Sequence, residues 1–165
     1  MKISRIIITM ILVALSSTDA YGSSLPKDIN LKKLKGGTLS LAEIKNKPAI
    51  IEFWASWCDS CGASMEAIHK WMKTQKNVRY IAVSVDNTLD EAKEFFKVAA
   101  NQNIKDVEAN AVFDADAKLA TAIKAPSLPT TLVVDKSGKI VLQLVGKVDA
   151  AKIKKIEEAL KKLKN

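Results

Sequence analysis

The sequence predicts a layered α/β fold whose sheet contains strands running in both directions. Three observations carry this. Residues 49–55, 78–85 and 130–134 are apolar, β-rich runs of strand length. Apolar residues recur at helical spacing between and after them: Cys61, Met65, Ile68 and Met72, then Ala92, Phe95, Phe96 and Ala99, then Ile153, Ile156, Leu160 and Leu163. The turn Asp135-Lys136-Ser137-Gly138 makes residues 139–145 the antiparallel partner of 130–134.

Taken in order, residues 25–48 are rich in turn formers, with Pro26, Gly36, Gly37 and Pro48. Leu31, Leu34, Leu39 and Leu41 predict a short strand or hairpin at the edge of the core. Pro48 bounds the strand at 49–55, in which Glu52 is the single acid. Thr88 and Glu91 have the spacing of a capping box ahead of the second helix. Residues 101–112 follow no clear period, and 116–124 predict a short helix. The expected order is β-α-β-α-(α)-β-β-α, with no internal repeat.

The chain has 165 residues, 48% hydrophobic and 27% charged. That balance suits one globular domain and excludes disorder, collagen and coiled coil. The formal charge is +8, but among the 26 basic residues only Arg5 and Arg79 are arginines. Bidentate recognition of phosphates and bases favours arginine. With 5% aromatics and no arginine cluster, a solvated lysine surface is expected, and no nucleic acid partner.

Lys2 and Arg5 lead into an uncharged apolar stretch at 6–15, followed by small and polar residues. This is the pattern of a secretory signal. Ala20-Tyr21-Gly22 suits cleavage before Ser23, with a cut after Ala20 as the alternative. The expected division is a signal peptide at 1–22 and one domain at 23–165. An uncleaved anchor is the weaker reading, because the stretch falls short of the ~20 residues that span a bilayer. The localisation expected is periplasmic, or otherwise exported.

The chemistry centres on Trp57-Cys58-Asp59-Ser60-Cys61, where a buried strand passes into a helix. In open α/β sheets function collects at such strand ends. The helix N-terminus favours a thiolate at Cys58, and two intervening residues let Cys61 reach it. The pair can then attack a disulfide and resolve the mixed disulfide internally. A purely structural bridge closing so short a loop would contribute only ~2 kcal/mol. A structural zinc needs about four ligands, and the chain offers two cysteines and His69, so no metal is expected. His69 is expected to pack or face solvent, and Trp71 and Met72 to join the core.

Two further residues are open on spacing alone. Glu52 is either a buried acid that takes the proton of Cys61 or an edge carboxylate facing water. Pro129 suits the first position of a strand without any special role.

The segment from Glu52 to Cys61, Glu52-Phe53-Trp54-Ala55-Ser56-Trp57-Cys58-Asp59-Ser60-Cys61, resembles the active-site segment of the thioredoxin superfamily. Leu128-Pro129-Thr130-Thr131, followed by Asp135 and Gly138, resembles that family's second signature. With the leader and the added helix near 88–100, the chain resembles exported TlpA/ResA-type thiol-disulfide oxidoreductases over residues 30–163. The resemblance implies a thioredoxin-like fold, a central mixed sheet flanked by helices, with an N-terminal extension and an inserted helix. It implies Cys58 as the exposed nucleophile, Cys61 as the buried resolving thiol and Glu52 as the buried acid. Pro129 is then a cis-proline facing the cysteines, the backbone of Leu128 pairs with a substrate strand, and Trp57 packs beside the nucleophile. The redox-active Cys58–Cys61 disulfide replaces any cofactor. Partners would be exported proteins with cysteine pairs, apocytochrome c or copper-site proteins among them, and a membrane thiol as electron donor.

Two positions depart from the pattern. Asp59-Ser60 lacks the proline common among relatives, and Asp59 sets a negative charge near Cys58, which predicts a reducing pair. Ser64 stands where ResA-like reductases often carry glutamate. A DsbA-like oxidant is the enzymatic alternative, and a Cu(I)- or client-binding module is the non-catalytic one. A peroxidase is not expected, because the related peroxiredoxin site sets an arginine beside its cysteine and Arg79 has no such context.

Overall fold

The computed structural model describes residues 22–44 and 46–164. Its strands are β1 (Asn30–Lys33), β2 (Thr38–Ser40), β3 (Ala49–Trp54), β4 (Arg79–Ser84), β5 (Ala111–Phe113), β6 (Thr130–Val134) and β7 (Ile140–Val145). Its helices are α1 (Cys61–Met72), α2 (Leu89–Phe95), α3 (Lys118–Ala122) and α4 (Ala150–Lys162). Residues 1–21 of the expected signal peptide at 1–22 lie outside the described residues.

The strands form one sheet in the order β2-β1-β5-β4-β3-β6-β7. β3, β4 and β5 run parallel, while β6 and β7 on one side and β1 and β2 on the other are antiparallel to their neighbours. The mixed sheet with flanking helices is the α/β architecture expected. β3 is an interior strand between β4 and β6, and all six of its residues are buried, which is why its sequence is nearly continuous in apolar residues. Ser24 bridges to Lys139, and Leu25 N–H donates to Gly138 O at 2.8 Å, so the first described residues extend the sheet beside β7.

Alternation along β3 divides the core in two. Ile50, Trp54, Tyr80, Ala82 and Val133 face α1 and α4, packing with Cys61, Met65, Ile68, Ile156 and Leu160. Ile51, Phe53, Val83, Leu132 and Val134 face the other way, onto Leu119 and Ile123. Glu52 and Thr131 belong by register to the α1-facing layer.

The structure differs from expectation between β4 and β6. The unassigned stretch is a 3-10 segment, Ala99–Asn110, that leads into β5. β5 was not expected, because three residues carry no readable period. The short helix expected at 116–124 is narrower, Lys118–Ala122. Left-handed backbone at Asp116 and Ala117 (φ 60° and 49°) delays its start, and buried Asp114 accepts from the N–H groups of Leu119 and Ala120 at 3.0 and 2.9 Å. The capping box is present: Glu91 N–H donates to Thr88 Oγ1 and Thr88 N–H to Glu91 Oε2. It starts α2, whose end carries Phe95 and, one residue on, Phe96 onto Trp54, with ring centroids 4.7 and 5.4 Å away.

Candidate active site

Cys58 and Cys61 are joined by a disulfide with Cα atoms 5.4 Å apart. Two tight turns place them. Cys58 N–H donates to Ala55 O and Cys61 N–H to Cys58 O, each at 3.1 Å. These turns bring the chain off the end of β3 and into α1, which starts at Cys61. No side chain caps that helix, so the positive end of its dipole is directed at the turn holding Cys58. Cys61 is fully buried and Cys58 is partly exposed.

Asp86, just past β4, fixes the approach to the pair. Its Oδ1 accepts from Ser56 N–H and from Ser56 Oγ, and its Oδ2 from Ser84 Oγ. Trp57 follows Ser56 and is 64% exposed. The indole expected to pack beside the nucleophile therefore projects into solvent next to it. Asp59 is also exposed.

The Leu128–Pro129 peptide is cis. Thr130 pairs with Phe53, which sets Pro129 beside the end of β3, where the cysteine turn begins. Leu128 is partly buried and packs against both core clusters.

Glu52 is fully buried, so the edge-carboxylate reading is excluded. Burial pushes its pKa from 4.5 up to about 7, against the Ser64 and Tyr80 hydroxyls, which favour the charged form. The Tyr80 hydroxyl donates to Oε2. The regular hydrogen bond of Ser64 Oγ is the one it accepts from Val148 N–H at 3.0 Å, and Oε1 of Glu52 has no well-formed partner. Thr131, opposite Glu52 on β6, likewise has a buried Oγ1 without a partner. Burial and the negative charge of Glu52 push the Tyr80 hydroxyl well above the ordinary tyrosine range.

Glu52, Ser64 and Cys61 thus share one buried layer, reached from β3 and α1. Tyr80 and Asp86 carry no functional signal in the sequence. A tyrosine in a strand reads as a β-former, and an aspartate after a strand reads as a turn residue. His69 is half-buried two turns along α1. Trp71 and Met72 are partly buried and pack on the core, with Trp71 Nε1 donating to Glu157. Arg79 begins β4, at the opposite end from Ser84 and the cysteine turn, and donates to Glu43 O.

The profile of the AhpC/TSA family matches residues 22–143. The chain belongs to this family. Thiol-disulfide oxidoreductase ResA of Bacillus cereus is 28% identical over 115 residues, covering 68% of this chain and 63% of that protein. The chain therefore spans just under two thirds of that relative's length. ResA of Bacillus subtilis is 28% identical over 130 residues, 76% of this chain and 67% of that protein. The thioredoxin domain of a thiol-disulfide oxidoreductase from Bacteroides vulgatus superposes with a TM-score of 0.71 at 22% identity, over 85% of this chain and 97% of that one. The fold of this AhpC/TSA member is thioredoxin-like, and the ResA relatives agree with the likeness read from its two motifs.

Proposed function

We propose that this chain is an exported thiol-disulfide oxidoreductase that reduces disulfides of other exported proteins. The observation that carries the reading is the asymmetry of the pair: Cys58 is partly exposed at a helix N-terminus, and Cys61 is buried in the layer that holds Glu52. The ResA relatives and the thioredoxin-like fold support it.

In the reduced protein the Cys58 thiolate attacks one sulfur of a client disulfide, forming a mixed disulfide and releasing one client thiolate. Glu52 takes the proton of Cys61, directly or through water. The Cys61 thiolate then attacks Cys58 Sγ, breaking the mixed disulfide and releasing the second client thiolate. Two electrons pass to the client, and the Cys58–Cys61 disulfide is the product. A membrane dithiol returns the protein to its reduced form. Pro129 and the backbone of Leu128 hold the client strand, and exposed Trp57 supplies apolar contact beside the sulfur.

Export rests on Lys2, Arg5 and the apolar stretch at 6–15. Mass spectrometry of the protein recovered from its compartment should find a chain starting at Ser23 or Tyr21.

The test pairs a potential with a trap. A reduction potential of about −220 mV or lower in glutathione buffer supports a reductase, and one near about −120 mV makes the chain an oxidant. Cys61→Ser should accumulate mixed disulfides with clients, and Cys58→Ser should not. Silence from both variants would instead favour a dithiol that only binds a soft ion or a client.

A further inference from the structure

Nothing in the sequence motifs assigns a role to Tyr80. The sheet register places it two residues before Ala82, which pairs with Glu52, so both side chains lie on the α1-facing side. The phenol reaches along the sheet and its hydroxyl donates to Glu52 Oε2. Tyr80 is 6% and Glu52 0% exposed, so water cannot readily replace that bond. Oε1 has no well-formed partner; the Ser64 hydroxyl also favours the charged carboxyl, and the Tyr80 hydroxyl makes the well-formed hydrogen bond that fixes its orientation.

We propose that Tyr80 is a positioning residue, whose hydroxyl orients the Glu52 carboxyl and sets the pH at which it takes the proton of Cys61. The inference rests on the exchange mechanism proposed above. A donor to one carboxylate oxygen stabilises the anion. The hydroxyl therefore opposes the effect of burial and keeps Glu52 able to accept a proton near neutral pH. By anchoring Oε2, it leaves Oε1 as the oxygen available to a proton.

Ionisable groups around this site include Cys61 and His69 on α1, Lys73 at its C-terminal cap, Arg79 on β4 and Lys33 on β1. The last four line a cavity of about 550 Å³ that Tyr80 also touches. Thr131, opposite Glu52 on β6, does not ionise in the working range. A probe of the carboxyl group itself is therefore needed, so that His69 is not mistaken for it.

The experiment uses Tyr80→Phe, which removes one hydroxyl and keeps the ring. Carbon NMR of the Glu52 carboxyl in the oxidised full chain, where neither cysteine titrates, should show its midpoint rising by about one pH unit. In stopped-flow decay of a mixed disulfide with a small thiol, resolution at pH 7 should slow about five-fold and recover by pH 9, the consequence of moving a midpoint near 7 up by about one unit. An unchanged Glu52 midpoint in Tyr80→Phe would overturn the positioning role. If Glu52→Gln resolves with the same pH profile as the wild type, the base role of Glu52 fails instead, and the carboxyl titration still decides whether Tyr80 sets its midpoint. Should Tyr80→Phe fold poorly, the hydroxyl proton of Tyr80 in the unaltered protein provides the check. A slowly exchanging resonance supports the bond, and a rapidly averaged one overturns it.

Discussion

Asp86 Oδ1 accepts hydrogen bonds from both the backbone N–H and the hydroxyl of Ser56, at 2.8 and 2.7 Å. The carboxylate is 4% exposed and ties the end of β4 to the residue before Trp57. It thereby holds the turn that presents Cys58. Asp86→Ala strands the buried ends of these bonds and the Ser84 hydroxyl that donates to Oδ2. Bonds to a charged acceptor contribute about 1.5–3 kcal/mol each, without adding fully. Urea unfolding should show a loss of about 2–4 kcal/mol. A change below about 0.5 kcal/mol would mean that the turn holds itself.

Ser64 plays a comparable part on the other side of the pair. Its fully buried hydroxyl accepts from Val148 N–H, linking α1 to the loop between β7 and α4. A glutamate at this position, as in many ResA-like sequences, would have to fit in a site that here holds one hydroxyl beside Glu52. Ser64→Ala should cost about 1–3 kcal/mol, because it orphans a buried N–H. Ser64→Glu should cost more and should lose most of its stability at high pH, where two neighbouring buried carboxyls cannot both ionise cheaply. Thermal melts of both variants at pH 5 and pH 8 check this, and equal pH responses would count against it.

The capping box at Thr88 and Glu91 starts a helix of only seven residues. So short a helix is marginal without its cap and its packing. Thr88→Ala should cost about 1 kcal/mol. The loss should appear first as loosened contact between Phe95, Phe96 and Trp54, read from Trp54 near-ultraviolet dichroism during mild heating. A signal that stays parallel to global unfolding would show that α2 has no separate weak point.

Much of this was legible because the relevant signals are local. Unbroken apolar content marked β3, helical spacing marked α1 and α4, and the position of the cysteines between them marked the site. The cis peptide before Pro129 was not legible from spacing; the resemblance alone implied it. β5 is not legible, because its three residues follow a 3-10 segment without amphipathic period. Tyr80 and Asp86 are illegible for a different reason. Each acts on a residue 28 or 30 positions away in sequence, and only the register of β3 against β4 brings the pairs together. Burial of Glu52 likewise depends on β4 and β6 closing over both edges of β3, which its own neighbours in sequence do not reveal.

Glu52 gives the prediction with the most definite sign. Its folded pKa is about 7, against 4.5 for the exposed group, and burial is the largest cause. Between those values the folded protein keeps a proton that the unfolded chain has released. Stability must therefore fall as pH rises through this window, and the full penalty is present above about pH 7. A shift of that size corresponds to a penalty on the order of 3 kcal/mol. Asp135 and Asp149 have lowered pKa values, so their contributions are lost only in acid, below this window. Glu52→Gln keeps the shape and an acceptor for Tyr80 but removes the charge. In the oxidised protein the variant should show little change in stability from pH 5 to pH 8, whereas the wild type declines. The gap should therefore widen in favour of the variant as pH rises, by up to about 3 kcal/mol. Urea unfolding across this range, with the disulfide intact, measures it. Curves that stay parallel would mean that Glu52 is hydrated or better paired than its buried position in β3 implies, and the proton-acceptor role assigned to it would lose its physical basis.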